Sequence, residues 1–289
     1  MKKVGNVVAF GLAAVACLGA FAGCDKEETA NTLAVGKEFV AAPSQLEALM
    51  KLDKGEADVA VIDSVMAGYY TTTGDYATKM TMVENLVFAE ESYGIAAKKG
   101  NKALVSKINE ALIAIRTTEY ADLATEYGLT ASTALTEATA DIYAGATDTS
   151  WTETVSSGTL VIGYTVFAPI AYEENDVLTG FDIELARRVV EYLNDEHEAN
   201  LNLQFLLIDW NTKEAKLEDG TIDLVWNGMT ITPEREAEMC ISVPYLYNKQ
   251  VAVVLNKDAA KFTTKESMAQ AIMTAESGSA GETVIVGKK

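Results

Sequence analysis

The segment Gly228-Met229-Thr230-Ile231-Thr232-Pro233-Glu234-Arg235 sets one arginine among residue types suited to holding a small anion. A guanidinium offers two parallel N–H donors that fit a carboxylate bidentately, which lysine cannot reproduce. Thr230 and the backbone around Gly228 can share that anion. Taken alone, Arg235 reads more simply as one half of a surface ion pair with Glu234, Glu236 or Glu238. Asp63 ends the apolar run Val59-Ala60-Val61-Ile62 and supplies an anion able to meet an ammonium group. In Gly278-Ser279-Ala280-Gly281, Ser279 and Ala280 lie in a small-residue turn at an expected helix start, a second carboxylate seat. The turn lacks the lysine and the spacing of a phosphate loop. Phe167 and Trp226 are candidate aromatic walls, with core packing as the other reading of Trp226.

Other chemistries find little support. His197 is the single histidine and sits in the polar stretch Asn194-Asp195-Glu196-His197-Glu198, so a histidine-based triad has no material. Cys240 is the one cysteine beyond residue 24 and is flanked by Met239 and Ile241, the setting of a small buried hydrophobe. A Cys/His zinc site is therefore not expected, nor any metal or cofactor, nor an enzyme. Acidic pairs are too numerous for the sequence to dismiss carboxylate catalysis on its own. With 42 acidic against 23 basic residues the formal charge is -19, which argues against nucleic acid and against anionic lipid head groups as partners.

The elements that must position these residues alternate between strand and helix. Phe39–Ala42 reads as a strand, and Gln45–Asp53 as a helix with apolar Leu46, Leu49, Met50 and Leu52 at helical spacing. Ser44 followed by Glu47 is a capping-box pattern, and Gly55 a stop. Asp58–Asp63 reads as a buried strand, Ser64–Tyr70 as a helix, the run around Tyr93–Ala96 as a strand, and Lys102–Tyr127 as two helical segments. Residues 130–150 are rich in Thr, Ala, Ser and Gly and read as a linker or a poorly ordered helix. Beyond them come a strand at Thr159–Gly163, a helix at Asp182–Leu193, strands at Leu203–Leu207 and Ile222–Trp226, a helix ending near Gly220, and a strand at Gln250–Leu255. A helix-like stretch is expected before Gly278. A glycine-stopped helix leading to a buried strand occurs twice, at Gly55 and Gly220, which suggests two lobes of like design with the ligand between their facing edges.

The first residues form an export signal: Lys2 and Lys3, then small and apolar residues from Val4 to Ala22. The segment closes on Phe21-Ala22-Gly23-Cys24, similar to a lipoprotein processing box in which Cys24 receives the lipid. Residues 1–24 are thus read as a signal peptide and 25–35 as a tether, giving an extracytoplasmic protein held at the membrane through an N-terminal lipid.

Several segments together resemble the bacterial extracellular solute-binding proteins of ATP-driven amino-acid importers. They are Gly180-Phe181-Asp182, Gly220-Thr221-Ile222-Asp223, the Gly228–Arg235 segment, Ser242-Val243-Pro244-Tyr245, Gly278-Ser279-Ala280-Gly281-Glu282, Gly55-Glu56-Ala57-Asp58 with Asp63, and Tyr93-Gly94-Ile95-Ala96. The resemblance implies an α/β, two-lobed periplasmic-binding-protein-like fold with two hinge crossovers. It implies a small zwitterionic amino acid as ligand and the importer's membrane subunits as partner. In such a site Arg235, with Thr230 and Gly228, would clamp the α-carboxylate, and Asp63 would meet the ammonium from the other lobe. Ser279 and Ala280 would assist, and Phe167 and Trp226 would wall the side chain. The stretch around Phe167 departs from the family pattern, which leaves the side-chain pocket unassigned. Sensor, structural or enzymatic roles on the same fold are the alternative readings.

The segments stand in the wrong order for that family: those usually last lie directly behind the leader. A circular permutation accounts for this, with 131–150 joining the usual ends; a truncated tandem or a join of two genes would give the same order. On the permuted reading one lobe comprises 36–91 plus 258–289 and the other 97–130 plus 151–254. The crossovers then fall near 89–96 and 254–258.

Overall fold

The structure is a computed structural model and describes residues 33–73 and 76–287. The expected signal peptide, Cys24 and most of the tether lie outside the described residues.

In chain order the strands are β1 (Glu38–Ala42), β2 (Val59–Asp63), β3 (Met80–Lys98), β4 (Thr159–Tyr164), β5 (Tyr172–Glu174), β6 (Val177–Thr179), β7 (Asn202–Leu207), β8 (Leu224–Thr230), β9 (Met239–Ile241), β10 (Leu246–Leu255) and β11 (Ile272–Glu276). The helices are α1 (Gln45–Lys54), α2 (Ser64–Thr72), α3 (Lys102–Ala114), α4 (Glu119–Glu126), α5 (Ser150–Ser157), α6 (Phe181–His197), α7 (Lys213–Glu218), α8 (Pro233–Glu238) and α9 (Ala280–Val286). The main sheet runs β1-β11-β2-β10-β3-β8-β4-β7, with β9 also on β3. β1, β11 and β2 are parallel neighbours, and so are β8, β4 and β7. These two parallel groups are the cores of two lobes. β3 and β10 run antiparallel to each other between them and belong to both.

Local sequence explains the parallel groups. β2 and β8 are buried along their whole length, as strands covered on both faces require. α1 starts on Ser44, whose Oγ accepts from the Glu47 N–H at 3.1 Å, and stops at Gly55, whose φ of 75° suits a residue without Cβ. Its Ala48, Leu49 and Leu52 are buried in the larger apolar core, which extends through both lobes.

Two expectations are corrected. The stretch before Gly278 holds only two short 3-10 turns, Asn256–Asp258 and Glu266–Met268, and then β11, inserted between β1 and β2. The chain also passes between lobes earlier than 254, because β10 already pairs with β2 at Gln250–Val253. β3 is a single strand of 19 residues, so its passage through 89–96 is continuous.

The strand order is unusual and is consistent with a circular permutation. β11, the last strand, sits between β1 and β2, the first two. The Ala34 and Val35 N–H groups both donate to the Ile285 carbonyl, at 2.8 and 3.1 Å, so the two ends of the folded body meet. The segment 131–150 is docked on α3. Asp141 accepts from Ser106 Oγ at 2.5 Å and Asn109 Nδ2 at 2.6 Å, and Asp148 accepts from the Ala103 N–H at 2.9 Å.

Candidate ligand-binding cleft

Parallel strands bring their C-terminal ends to the line between the lobes, where α/β proteins generally bind ligands. Asp63 ends β2, Glu276 ends β11, Thr230 ends β8, and Thr165 follows β4. All four wall one cavity, together with Gln45, Ser279 and Ala280 from the first lobe and Phe167, Trp210, Gly228 and Arg235 from the second. The cavity has about 10 Å³ of free space, roughly room for one water molecule. An amino acid would therefore enter only with the lobes further apart. Outside it lies a groove of about 1140 Å³ that shares Thr230, Arg235, Ser279 and Ala280 and forms the mouth of the cleft.

Arg235 is held by backbone. Its Nη1 donates to the Thr230 carbonyl at 2.7 Å and its Nη2 to the Gly278 carbonyl at 3.1 Å, the second bond reaching the opposite lobe. The ion pairs of the described residues do not include Arg235. Of five guanidinium donors, two are engaged with carbonyls, leaving donors for an anion. Burial lowers its pKa, while the carboxylates of Glu214, Glu91, Asp63 and Glu276 favour its charged form.

Asp63 is fixed by three side-chain amides. It accepts from Gln45 Nε2, from Asn248 Nδ2, and from Gln250 Nε2 at 2.7 Å. Asn248 and Gln250 also donate to Glu91 Oε1, at 2.5 and 2.7 Å. Sheet register builds this network: Asn248 stands opposite Glu91 across β10 and β3, and Gln250 opposite Asp63 across β10 and β2. Burial pushes the Asp63 carboxyl well above its usual range, and the charge of Glu91 pushes it further.

Gly228 lines the cavity. Its N–H is turned away, donating to Asp182 Oδ2 at 2.8 Å, so it does not serve an anion in the way its sequence position implied. At φ 61° a Cβ here would sit 2.6 Å from the Phe167 ring, which explains the glycine. Ser279 Oγ caps α9, accepting from the Glu282 N–H at 3.2 Å. Trp226 is not a wall: it is 1 % exposed, packed edge-on to Tyr245 with ring centroids 6.4 Å apart, and does not line the cavity. The indole at the cavity is Trp210, 5 % exposed, with Lys213 Nζ 4.8 Å above its ring.

Sequence reading also missed Glu276 and Lys213. Glu276 is 4 % exposed and its Oε1 has no hydrogen-bond partner. Burial pushes its carboxyl up to about 8, against the pull of Lys213 and Arg235. Lys213, 2 % exposed, pairs with Glu214 at 2.9 Å and donates to the Trp210 carbonyl at 3.2 Å. The available signal was positional: Glu276 ends a strand just as Asp63 does.

Residues 160–277 match the bacterial extracellular solute-binding proteins, family 3. Similar curated proteins include the arginine-binding extracellular protein ArtP of Bacillus subtilis, 32 % identical over 93 residues, covering 32 % of this chain and 34 % of that protein. The probable amino-acid-binding protein YxeM of the same organism is 30 % identical over 90 residues, 31 % of each chain. Cyclohexadienyl dehydratase of Pseudomonas aeruginosa is 28 % identical over 123 residues, 42 % of this chain and 44 % of the enzyme. Among solved structures, a substrate-binding protein of a Streptococcus pneumoniae ABC uptake transporter with bound histidine is 34 % identical, over 30 % of this chain and 34 % of that one, at a TM-score of 0.26. The chain thus spans about a third of the length of the first two curated relatives.

Proposed function

We propose that this protein captures a small α-amino acid outside the cytoplasm and delivers it to an ATP-driven importer, as a binding protein rather than a catalyst. The observation that carries the reading is that Arg235 and Asp63, from opposite lobes, wall the same cavity. A zwitterion between them gives its carboxylate to the donors Arg235 retains and its ammonium to an Asp63 carboxyl already oriented by amides. Thr230, Ser279 and Ala280 complete the polar wall, and Phe167 with Trp210 forms the apolar one. Closure joins two lobes through one ligand, with β3 and β10 as the hinge. The boundaries follow: 36–91 with 258–289 as one lobe, 97–130 with 151–254 as the other except that β10 is shared, and 131–150 as the join.

The names of similar proteins point the same way, since they include arginine-binding, L-cystine-binding and probable amino-acid-binding proteins. Among the described residues no group of His, Cys, Asp or Glu could hold a metal ion. The family match supports a location outside the cytoplasm, and we propose that residues 1–24 are a signal peptide and that lipid on Cys24 anchors it. Thermal shift with the twenty amino acids tests the reading, because a ligand of the folded form raises the melting temperature by mass action. A selective rise with one or a few of them is the expected result; no shift with any would contradict it.

A further inference from the structure

The cavity holds one more buried carboxyl than an amino acid's backbone groups account for. In the reading above, Arg235 takes the α-carboxylate and Asp63 the α-ammonium. Glu276 remains, walling the same cavity from the end of β11, 4 % exposed and with Oε1 unpartnered. A buried carboxyl without donors is costly in either protonation state, and most costly when ionised.

Lys213 and Arg235 both pull on it, and neither is hydrogen-bonded to it among the described residues. Lys213 Nζ is committed to Glu214 at 2.9 Å and to the Trp210 carbonyl at 3.2 Å. Arg235 donates to two carbonyls and, in the proposed function, to the ligand. The groove at the cleft mouth adds Glu90, Glu91 and Glu282 to the same sign. Phe167 and Trp210 offer the apolar faces along which an aliphatic stem can lie.

From this we infer that Glu276 is a second cation seat, and that the ligand is an amino acid with a positively charged side chain, of the lysine or arginine class. The inference rests on the amino-acid reading given above and names its substrate class. The side-chain cation supplies Glu276 with the donors it lacks and neutralises the carboxylate, while the aromatic rings exclude water from the pair. Burial holds the Glu276 carboxyl at about 8, so an arriving cation displaces its proton.

The test is calorimetric titration of the purified protein with two matched pairs: L-arginine against L-citrulline, and L-lysine against L-norleucine. Each pair is close in shape and differs in the side-chain charge. In at least one pair the cation should bind the native protein more than ~10-fold more tightly than its neutral partner, and Glu276→Gln should bring that pair within ~3-fold. Circular dichroism and the melting temperature of Glu276→Gln without ligand check that the variant is folded. Equal binding within both pairs, or discrimination that survives in Glu276→Gln, overturns the assignment of Glu276 and leaves the amino-acid reading standing. Binding of neutral amino acids alone overturns it in the same way. If no amino acid of any charge binds, the amino-acid reading itself falls, and this inference with it.

Discussion

Arg235 Nη2 donates to the Gly278 carbonyl oxygen at 3.1 Å, a hydrogen bond from one lobe to the other. The guanidinium is also tied to Thr230 in its own lobe. In this closed arrangement its plane is thereby set, beside a cavity whose opposite wall carries Asp63 and Glu276. Positioning by backbone carbonyls leaves the arginine oriented without neutralising it, as a carboxylate clamp needs.

Gly228→Ala should damage stability and affinity together. The φ of 61° disfavours any side chain, and a Cβ would sit 2.6 Å from the Phe167 ring. A loss of ~1–3 kcal/mol is expected from the backbone conformation and the displaced ring. Urea unfolding measures the first effect and titration the second; an unchanged midpoint would show that Phe167 moves freely.

Three buried carboxyls make stability fall as pH rises. Burial raises Asp63, Asp182 to about 7, and Glu276 to about 8, above their ordinary values near 4. A group raised in the folded state contributes stability fully below its unfolded pKa and loses it as pH climbs through the folded one. Asp182→Asn keeps an acceptor for Gly228 and Tyr245 and removes one such group. Its melting temperature relative to the native protein should therefore rise between pH 5 and pH 8, on the order of a few kcal/mol in stability. A difference that does not change with pH would mean that Asp182 is ionised in the fold throughout this range.

Asp148→Ala should cost about 1 kcal/mol, the scale of a lost helix cap, with no effect on the ligand. Asn101 makes no side-chain cap bond to α3, and the first-turn donors of Ala103 and Leu104 are met instead by Asp148 and by Ser150 Oγ. These contacts come from the segment 131–150, which we propose joins the two halves, and neither residue lines the cleft cavity. A variant that lost affinity would tie this segment to hinge motion.

Cys24→Ser should move the protein from the membrane to the soluble fraction on cell fractionation. Retention in the membrane by the variant would argue against a lipid on Cys24.

Much of the cleft was legible in the sequence because its residues lie in short local signatures. Ser44 and Gly55 bound α1 by capping chemistry, and the apolar run of β2 ends on Asp63. β11 was not legible. Its Ile-Met-Thr-Ala-Glu sequence is mixed in propensity, and what makes it a strand is burial between β1 and β2, whose residues stand more than 200 positions away in the chain. Glu276 was missed with its strand. Trp226 follows Leu224-Val225 and Trp210 follows Ile208-Asp209, and it is packing against Tyr245 that marks Trp226 as the core indole and leaves Trp210 at the cavity. Two of the three amides that orient Asp63 come from alternate positions of β10, and their register with β2 and β3 is a long-range fact.

Calorimetric titration of amino acids into the native protein and Arg235→Ala, with folding of the variant checked by circular dichroism, tests the central claim most directly. One-to-one binding to the native protein should weaken by ~30-fold or more in the variant, in line with ~2–5 kcal/mol for removing one partner of a buried charge pair. Saturable binding that survives Arg235→Ala within ~3-fold would contradict a clamp made by this guanidinium.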